Sequence, residues 1–264
     1  MRVRSATSGM FGGFRDASGR AGEPAGLPEA LDRGLLDLLL PRDCAVTGEP
    51  LDGGPWRHLS EAGANRLTRI HDPRCLRCGH PYEGLLAGET ECPHCRDLRP
   101  AFGRAVCAFR AVGAARRLIH RMKYSDAPWL AEDLADAALE DEVFRRHLAG
   151  SVLVPVPLHG SRAAERGYDQ ALVVARALAR RAPGCSLARL LRRTQDTPTQ
   201  TRLGRAERRR NVAAAFTATG RPDAAVRHVV VDDVLTTGAT LSACARALRR
   251  AGARLVDAAA LAHG

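Results

Sequence analysis

The sequence lacks any long uninterrupted apolar run, and it contains few aromatic residues. No stretch approaches the about 18 apolar residues of a membrane-spanning helix, and the N-terminal residues show no apolar signal-peptide core. We therefore expect no membrane insertion and a cytoplasmic location. Aromatic residues make up only 4% of the chain, which argues against extensive base stacking but leaves contacts with a nucleic-acid backbone open.

Lysine is almost absent, although the chain is strongly basic. The formal net charge of +11 predicts an anionic partner, and phosphate-rich ligands and nucleic acid both remain open. Of the 40 basic residues, all except Lys123 are arginine, so an arginine-rich run is weak evidence for guanidinium-specific recognition. A single lysine in this background indicates a need for a compact ammonium group, which we assign to a pyrophosphate or a neighbouring carboxylate. The alternative is a chance retention at a helix end.

The chain divides into three predicted parts, because 264 residues suffice for one α/β domain with a smaller appendage. Residues 1–26 are rich in glycine, serine and alanine and predict a disordered leader without chemistry of its own. Residues 27–100 predict a short amphipathic helix followed by a small ribbon rich in cysteine and turn formers. Residues 101–264 predict the main domain, with the boundary near Pro100.

The main domain alternates short apolar runs with longer helical patterns. The runs 104–110, 152–158, 227–232 and 254–261 predict strands, and the patterns 112–122, 128–148, 163–182 and 239–251 predict helices. Three consecutive valines, 229–231, indicate a strand buried on both faces, which is typical of a parallel sheet. The pattern predicts a doubly wound α/β domain, in which ligands bind beyond the carboxyl ends of the strands.

One loop carries the strongest chemical signal, since it joins a buried strand to a helix through carboxylates, threonines and a glycine. Gly238 allows a tight turn, and the helix N-terminus with the hydroxyls of the loop threonines would bind a phosphate. Asp232 and Asp233, at the strand end, would accept hydrogen bonds from ribose hydroxyls. The acidic pair followed by the threonine loop therefore predicts a site for ribose 5-phosphate. The alternative is ordinary threonine capping with solvated aspartates.

The acidic pair followed by the threonine-rich loop resembles the phosphoribosyl pyrophosphate signature of type I phosphoribosyltransferases. This loop and five further segments make the chain similar to the ComF family, also called GntX-like. The similarity extends from about Pro41 to the C-terminus. Those segments are 118–124, 154–158, 166–170, 199–200 and 207–212. The resemblance implies a type I phosphoribosyltransferase fold, with a mostly parallel sheet and flanking helices, and an association with DNA uptake during natural transformation.

The resemblance also implies a set of ligand contacts. Asp232 and Asp233 would be the catalytic carboxylates that hold the ribose. The ligand would otherwise be bound by Leu235, Thr236, Thr237, Gly238, Ala239, Thr240, Lys123, Arg162 and Arg166, the last two following a proline-flanked strand exit. A rigid strand exit with solvated arginines is the alternative for that turn. The ligand would be phosphoribosyl pyrophosphate with Mg²⁺, or another molecule containing ribose 5-phosphate.

The polar, arginine-rich residues 193–211 predict either a mobile lid over the ligand or a solvated loop that leads into a charged helix. Arg208, Arg209 and Arg210 could equally contact a nucleic-acid backbone. The sequence does not decide between these roles.

Two Cys-x-x-Cys pairs, Cys75 with Cys78 and Cys92 with Cys95, are separated by 13 residues. Four thiolates at this spacing predict a tetrahedral Zn²⁺ site, with a redox disulfide as the alternative. A closed four-cysteine site leaves no position for substrate, so its role would be structural or partner-binding. ComF proteins often carry further cysteine pairs upstream. Here the corresponding positions hold Cys44 with Thr47 and Ser60 with Gly63, and we predict no second metal.

Two functions follow from these features. The first is an enzyme in which a nucleophile displaces pyrophosphate from the anomeric carbon, although no dedicated general base is evident and the acceptor base cannot be named. The second is a noncatalytic module that senses a nucleotide and associates with single-stranded DNA or a helicase. The oligomeric state is not readable from the sequence.

Overall fold

The computed structural model describes residues 42–51, 54–82, 92–158, 167–194 and 215–264, which belong to one compact unit that begins at Arg42. The predicted leader and the predicted helix before Pro41 lie outside the described residues, and so do Arg162, Arg166 and residues 195–214. The domain boundary near Pro100 stays a prediction. Among the described residues, no helix is both long enough and apolar enough to cross a bilayer.

Two short helices precede a region in which strands alternate with longer helices. In chain order the elements are α1 (Glu61–Asn65), α2 (Pro93–Leu98), β1 (Ala105–Arg110), α3 (Gly113–Tyr124), α4 (Leu130–Leu139), α5 (Glu142–Leu148), β2 (Val152–Pro155), α6 (Gln170–Arg181), β3 (Ser186–Leu187), β4 (Leu191–Arg193), β5 (Phe216–Ala218), β6 (Arg227–Leu235), α7 (Ala239–Arg250) and β7 (Leu255–His263). The described residues therefore confirm the predicted alternation of strands and helices.

Five strands form a parallel sheet in the order β1-β7-β6-β2-β3, and β4 and β5 form a separate antiparallel pair. Val229, Val230 and Val231 of β6 are fully buried, as the sequence predicts. Val229 and Val231 pack in the core that contains α3 to α6, whereas Val230 packs in the core that contains α7. Helices thus cover both faces of the sheet, which confirms the doubly wound α/β architecture.

Several elements differ from the sequence-based expectation. The predicted strand 152–158 ends at Pro155, residues 167–169 of the predicted helix 163–182 are not helical, and β3, β4 and β5 were not predicted. The predicted helix 128–148 is two helices, because Asp141 caps a new helix by accepting a hydrogen bond from the Val143 N–H at 2.9 Å. The strand expected to end at residue 232 continues to Leu235, because its last residues still pair with β7. Asp232 was predicted as the last residue of the strand, and the structure places Asp233 on the strand as well.

The carboxyl end of β6 extends past its neighbour β2. The Val156 N–H donates to Val231 O at 2.9 Å, and the ladder stops there because the next N–H on this side, that of Leu158, donates to an Asp169 carboxylate oxygen at 3.1 Å instead. Beyond Val231, β6 pairs only with β7 among the described strands. This stagger opens a crevice beside the last residues of β6.

Candidate functional site

A cleft of about 540 Å³ lies at the carboxyl ends of β2 and β6. These neighbours form a topological switch point, since β2 leads outward to β3 whereas β6 leads to β7 on its other side. Crevices at such points are the usual ligand sites of open α/β sheets. The cleft is lined by Lys123, Tyr124, Val156, Pro157, Leu158, Asp169, Gln170, Ala171, Arg193, Asp232, Asp233, Val234, Thr236 and Thr240.

Asp232 and Asp233 both line the cleft, but they leave β6 toward opposite faces of the sheet, as successive strand residues must. Asp233 is buried on the α3 side, where Lys123 Nζ lies 2.9 Å from its Oδ2 atom. Asp232 is half-buried, and its Oδ1 atom accepts a hydrogen bond from the Asp233 N–H at 2.9 Å. The single lysine of the chain is therefore the counter-ion of one carboxylate of the acidic pair.

The electrostatics of the acidic pair are asymmetric. Burial and the neighbouring charge of Asp233 raise the pKa of Asp232 to about 8, while Lys123 acts in the opposite direction. In the absence of ligand, burial and the charge of Asp233 therefore favour the protonated form of Asp232. A cation or a hydrogen-bond donor that enters the cleft would favour the carboxylate form.

The predicted phosphate loop connects β6 to α7. Gly238 is the N-cap of α7 and has a left-handed φ of 70°, which a residue with a side chain adopts with difficulty. Thr236 and Thr237 are exposed, and Thr236 and Thr240 line the cleft. Ala239 is the first residue of α7 and is buried, as is Leu235 at the end of β6, which packs in the core. The arrangement leaves hydroxyls and the α7 N-terminus available to an anion.

Four polar residues of the cleft were not identified as site residues from the sequence: Tyr124, Asp169, Gln170 and Arg193. Asp169 caps α6 by accepting from the Leu172 N–H at 3.1 Å, and its other oxygen accepts from the Leu158 N–H at 3.1 Å. It therefore holds the exit of β2 against the start of α6. The segment 166–170 contributed only to the family resemblance, and nothing local in it marks Asp169 or Gln170 as cleft residues.

The four predicted metal ligands lie together. The Sγ atoms of Cys75, Cys78, Cys92 and Cys95 are all within 4.8 Å of one another. The Cys75–Cys95 and Cys78–Cys92 Sγ–Sγ distances are each 3.7 Å, close to the about 3.8 Å edge of a tetrahedron with 2.3 Å zinc–sulfur bonds. This group of cysteines, which we call the cysteine centre, could hold a metal ion.

The turn at Cys44 repeats the backbone of the turn at Cys75. The Gly48 N–H donates to Cys44 O at 2.9 Å, as the Gly79 N–H donates to Cys75 O, and both glycines have a left-handed φ. In the Cys44 turn the sulfur accepts weak hydrogen bonds from the Thr47 and Ser60 N–H groups. The Cys75 sulfur accepts the equivalent hydrogen bond from the Cys78 N–H, so the two turns share these contacts and differ in that one has Thr47 where the other has Cys78.

The cysteine centre is attached directly to the sheet. The Ala105 N–H, at the start of β1, donates to Arg77 O at 2.7 Å. A side-chain carbon placed on Gly79 would lie 2.9 Å from Ala105 O. Further along, residues 68–70 pair with β1 in an antiparallel bridge, through the Ile70 N–H to Ala108 O and the Arg110 N–H to Thr68 O. The segment that holds the cysteines therefore covers the outer edge of β1.

Comparisons with known proteins agree with this architecture. A family model described as "Phosphoribosyl transferase domain" matches residues 169–264. Competence protein F of Haemophilus influenzae is 31% identical, over 66% of this chain and 79% of its own length. DNA utilization protein YhgH of Escherichia coli K12 is 31% identical, over 83% of this chain and 96% of its own. A solved structure described as the allosteric regulatory enzyme of purine biosynthesis matches 48% of this chain and 24% of its own at 21% identity, with a TM-score of 0.33, too low to carry an argument.

Proposed function

Because the chain belongs to the ComF family of phosphoribosyltransferase-fold proteins, we propose that its cleft binds phosphoribosyl pyrophosphate or another ligand that contains ribose 5-phosphate. One observation carries the proposal. The crevice beside β6 holds an acidic pair that is followed directly by a threonine-rich turn at the N-terminus of a helix. Acceptors for sugar hydroxyls and donors for a phosphate are thus arranged in the order in which ribose 5-phosphate presents its groups.

In this proposal each element of the cleft has one role. Asp232 and Asp233 accept hydrogen bonds from the ribose hydroxyls, and Thr236, Thr237 and Thr240 with the α7 N-terminus bind the 5-phosphate. Lys123 fixes the orientation of Asp233, to which it is paired. Leu235 and Ala239 are buried, so they contribute backbone rather than side-chain contacts. Arg162 and Arg166 lie outside the described residues and remain the proposed contacts of the pyrophosphate.

The chemistry that these groups support is phosphoribosyl transfer. The bond between the anomeric carbon and the diphosphate oxygen breaks, the diphosphate leaves with that electron pair, and an acceptor nucleophile forms the new bond to the anomeric carbon. The carboxylate form of Asp232 would offset the positive charge that develops on the ribose. A Mg²⁺ ion bound to the diphosphate would neutralise part of its charge. Among the described cleft residues, Asp232 and Asp233 are assigned to the ribose and Asp169 accepts two backbone hydrogen bonds, so the acceptor must already be nucleophilic.

We further propose that the cysteine centre holds Zn²⁺ in a structural role. All four positions are thiolate ligands at tetrahedral spacing, which leaves no open coordination position. The contact of its Gly79 turn with β1 implies that the ion stabilises the whole sheet rather than the ribbon alone.

The test of the ligand proposal is calorimetric titration of phosphoribosyl pyrophosphate with Mg²⁺ into wild type and an Asp232→Asn/Asp233→Asn variant. We expect binding by wild type and a loss of at least about 100-fold in the variant, since two charge-assisted contacts are removed. Asp223→Asn, an exposed position outside the cleft, is the matched control and should bind as wild type does. Absence of binding to folded, metal-loaded wild type would reject the proposal.

A second candidate function is a noncatalytic module that associates with single-stranded DNA, and one surface favours it. Helix α3 contains no acidic residue, and its Arg116, Arg117 and His120 side chains are exposed. Tyr124, at its end, is 63% exposed and Trp129 is 38% exposed, so exposed aromatic rings lie beside the basic helix despite the low aromatic content of the chain.

Variants of the cleft aspartates and of the α3 arginines distinguish the two functions. DNA binding that weakens with salt, persists in the Asp232→Asn/Asp233→Asn variant and falls in Arg116→Ala/Arg117→Ala would favour the module. Diphosphate release that is abolished by the aspartate changes would favour the enzyme.

A further inference from the structure

Tyr168 lies next to the cleft without lining it, and its hydroxyl group contacts helix α3. The half-buried side chain precedes α6, and its hydroxyl donates a hydrogen bond to Met122 O in the last turn of α3. The two residues are 46 positions apart in the chain. None of the roles above uses this contact. Tyr168 therefore joins the segment before α6 to the end of α3.

The Met122 carbonyl needs a partner from outside its helix, because α3 ends two residues later. The Ser125 N–H donates to Arg121 O at 2.9 Å, and Asp126 then takes a left-handed φ of 47°, which turns the chain away from the helix. Among the described residues, no backbone N–H donates to Met122 O. The last carbonyls of a helix take their hydrogen bonds from caps, side chains or water. Here the Tyr168 hydroxyl supplies the hydrogen bond.

The peptide group that accepts this hydrogen bond is the one that leads into Lys123. Met122 C=O and Lys123 N–H belong to a single planar unit, so a hydrogen bond to the oxygen restrains the backbone from which the Lys123 side chain extends. Lys123 Nζ in turn lies 2.9 Å from Asp233 Oδ2 in the cleft. A series of contacts thus runs from Tyr168 through Lys123 to the acidic pair.

Tyr168 is itself attached to a rigid part of the fold. The next residue, Asp169, caps α6 by accepting from the Leu172 N–H at 3.1 Å, and its other oxygen accepts from the Leu158 N–H beyond β2 at 3.1 Å. The position of Tyr168 is therefore set relative to both β2 and α6. Its hydroxyl group holds the cleft end of α3 against these two elements.

The Lys123 side chain is long and flexible, so holding it against one carboxylate costs rotamer entropy that a fixed backbone reduces. We propose that Tyr168 is a positioning residue whose hydroxyl group holds the end of α3 so that Lys123 stays paired with Asp233. Loss of the pairing would also affect Asp232, because Lys123 opposes the rise in its pKa that burial and Asp233 cause. The expected effect on ligand affinity rests on the proposed function, whereas the effect on Lys123 does not.

The first test observes Lys123 directly in the protein without ligand. Lys123 is the only lysine in the chain, so protein grown with isotope-labelled lysine gives the side-chain signals of one residue in an NMR spectrum. The chemical shifts of its ε-methylene group depend on whether a carboxylate holds the ammonium group, and Asp233→Asn marks the position of the unpaired state. We expect Tyr168→Phe, which removes only the hydroxyl group, to move the signal at least halfway from wild type toward Asp233→Asn.

The matched control is Arg121→Met, because Arg121 also joins α3 to another segment. Its Nη1 atom donates to Ala45 O at 3.0 Å, so the variant removes a side-chain contact of the same kind without touching the peptide group before Lys123. Arg121→Met should leave the Lys123 signal unchanged. If both variants lower the melting temperature equally and only Tyr168→Phe moves the signal, a general loss of stability is not the cause.

Calorimetry with phosphoribosyl pyrophosphate and Mg²⁺ tests whether Tyr168 acts on the ligand through Lys123. Tyr168→Phe should raise the Kd about threefold to tenfold in otherwise wild-type protein, as for the loss of one hydrogen bond. In the Lys123→Ala background the same change should alter the Kd by less than about twofold, because the side chain that Tyr168 positions is absent.

Two results would overturn the assignment. They are an unchanged Lys123 signal in Tyr168→Phe and equal losses of ligand affinity in the two backgrounds. Failure of wild type to bind phosphoribosyl pyrophosphate would reject the proposed function, and the Lys123 signal alone would then decide whether Tyr168 positions this residue.

Discussion

The cysteine centre and the ligand cleft are built in different ways. The centre takes its four ligands from residues 75–95, and one short turn and the start of α2 bring them together. The cleft takes its lining from residues as distant as Lys123 and Thr240, which only the order of strands in the sheet brings to one edge. All ligands of a site can be predicted from the sequence when they lie close together in the chain. When the order of strands assembles a site, only the residues that share one continuous segment can be predicted.

The largest expected loss of stability comes from removing a ligand of the cysteine centre, because the centre is joined to the sheet. Cys78→Ser should lower the free energy of unfolding of the whole chain by more than about 3 kcal/mol, since a structural metal contributes directly to folding and Gly79 packs against β1. Chemical denaturation followed by circular dichroism would measure the effect, and metal analysis of the purified protein would identify the bound ion.

The matched control is Cys185→Ser, because this half-buried thiol lies outside the centre and donates to Leu148 O, which a serine can also do. It should cost less than about 1 kcal/mol. If a chelator melts only the ribbon and leaves the sheet transition unchanged, the structural coupling between centre and sheet is wrong.

The next largest loss of stability is expected from breaking the ion pair between Lys123 and Asp233 in the cleft. Lys123→Ala would leave the buried carboxylate of Asp233 without its counter-ion, so we expect a loss of about 1–3 kcal/mol in the free energy of unfolding. Lys123→Arg keeps the charge but not the compact shape, and it should recover part of the stability and less of the ligand affinity. Equal ligand affinity in wild type and Lys123→Arg would show that only the charge matters at this position.

The sequence predicted each site as far as its residues are adjacent in the chain. It identified the four cysteines, the acidic pair and the threonine turn, because each group occupies a short segment with its own chemistry. It also predicted that Lys123 contacts a pyrophosphate or a carboxylate, and the structure pairs it with Asp233. This inference came from the rarity of lysine in the chain rather than from any local pattern.

The remaining cleft residues could not be predicted, for a physical reason. Asp169 and Gln170 look like an ordinary cap and the first turn of a helix, and their exposure to the cleft depends on where β2 ends relative to β6. Likewise, the end of β6 was placed too early because its extra pairing is with β7, which lies later in the chain. Pairing between strands distant in sequence leaves no periodic signal within either strand.

The pH dependence of stability should distinguish the cleft from the centre. The raised pKa of Asp232, about 8, means that the folded protein keeps a proton that the unfolded chain releases near pH 4. Asp232 therefore makes the free energy of unfolding fall as pH rises from about 4 to 8, by at most about 1.4 kcal/mol per pH unit. Asp232→Asn should remove this component, so its advantage over wild type should grow across that range.

Urea denaturation of both proteins at a series of pH values would measure this difference. Burial lowers the pKa of His147 to about 4, which makes stability rise with pH below about 6.5, but this contribution is common to both proteins and cancels. If the free energy of unfolding depended on pH in the same way in wild type and Asp232→Asn, the pKa of Asp232 would not be raised in the folded protein.

The smallest expected change in stability comes from alanine substitutions in the Cys44 and Cys75 turns. The glycines of these two turns have different surroundings. Gly48 and Gly79 have φ values of 74° and 72°, so alanine at either position is strained by about 1 kcal/mol. A side-chain carbon on Gly48 would meet nothing within 4 Å, whereas one on Gly79 would lie 2.9 Å from Ala105 O. We therefore expect Gly79→Ala to lower the free energy of unfolding by about 1 kcal/mol more than Gly48→Ala in metal-loaded protein. Equal losses would mean that the Gly79 turn can move away from β1 at little cost, and that the cysteine centre is not tightly coupled to the sheet.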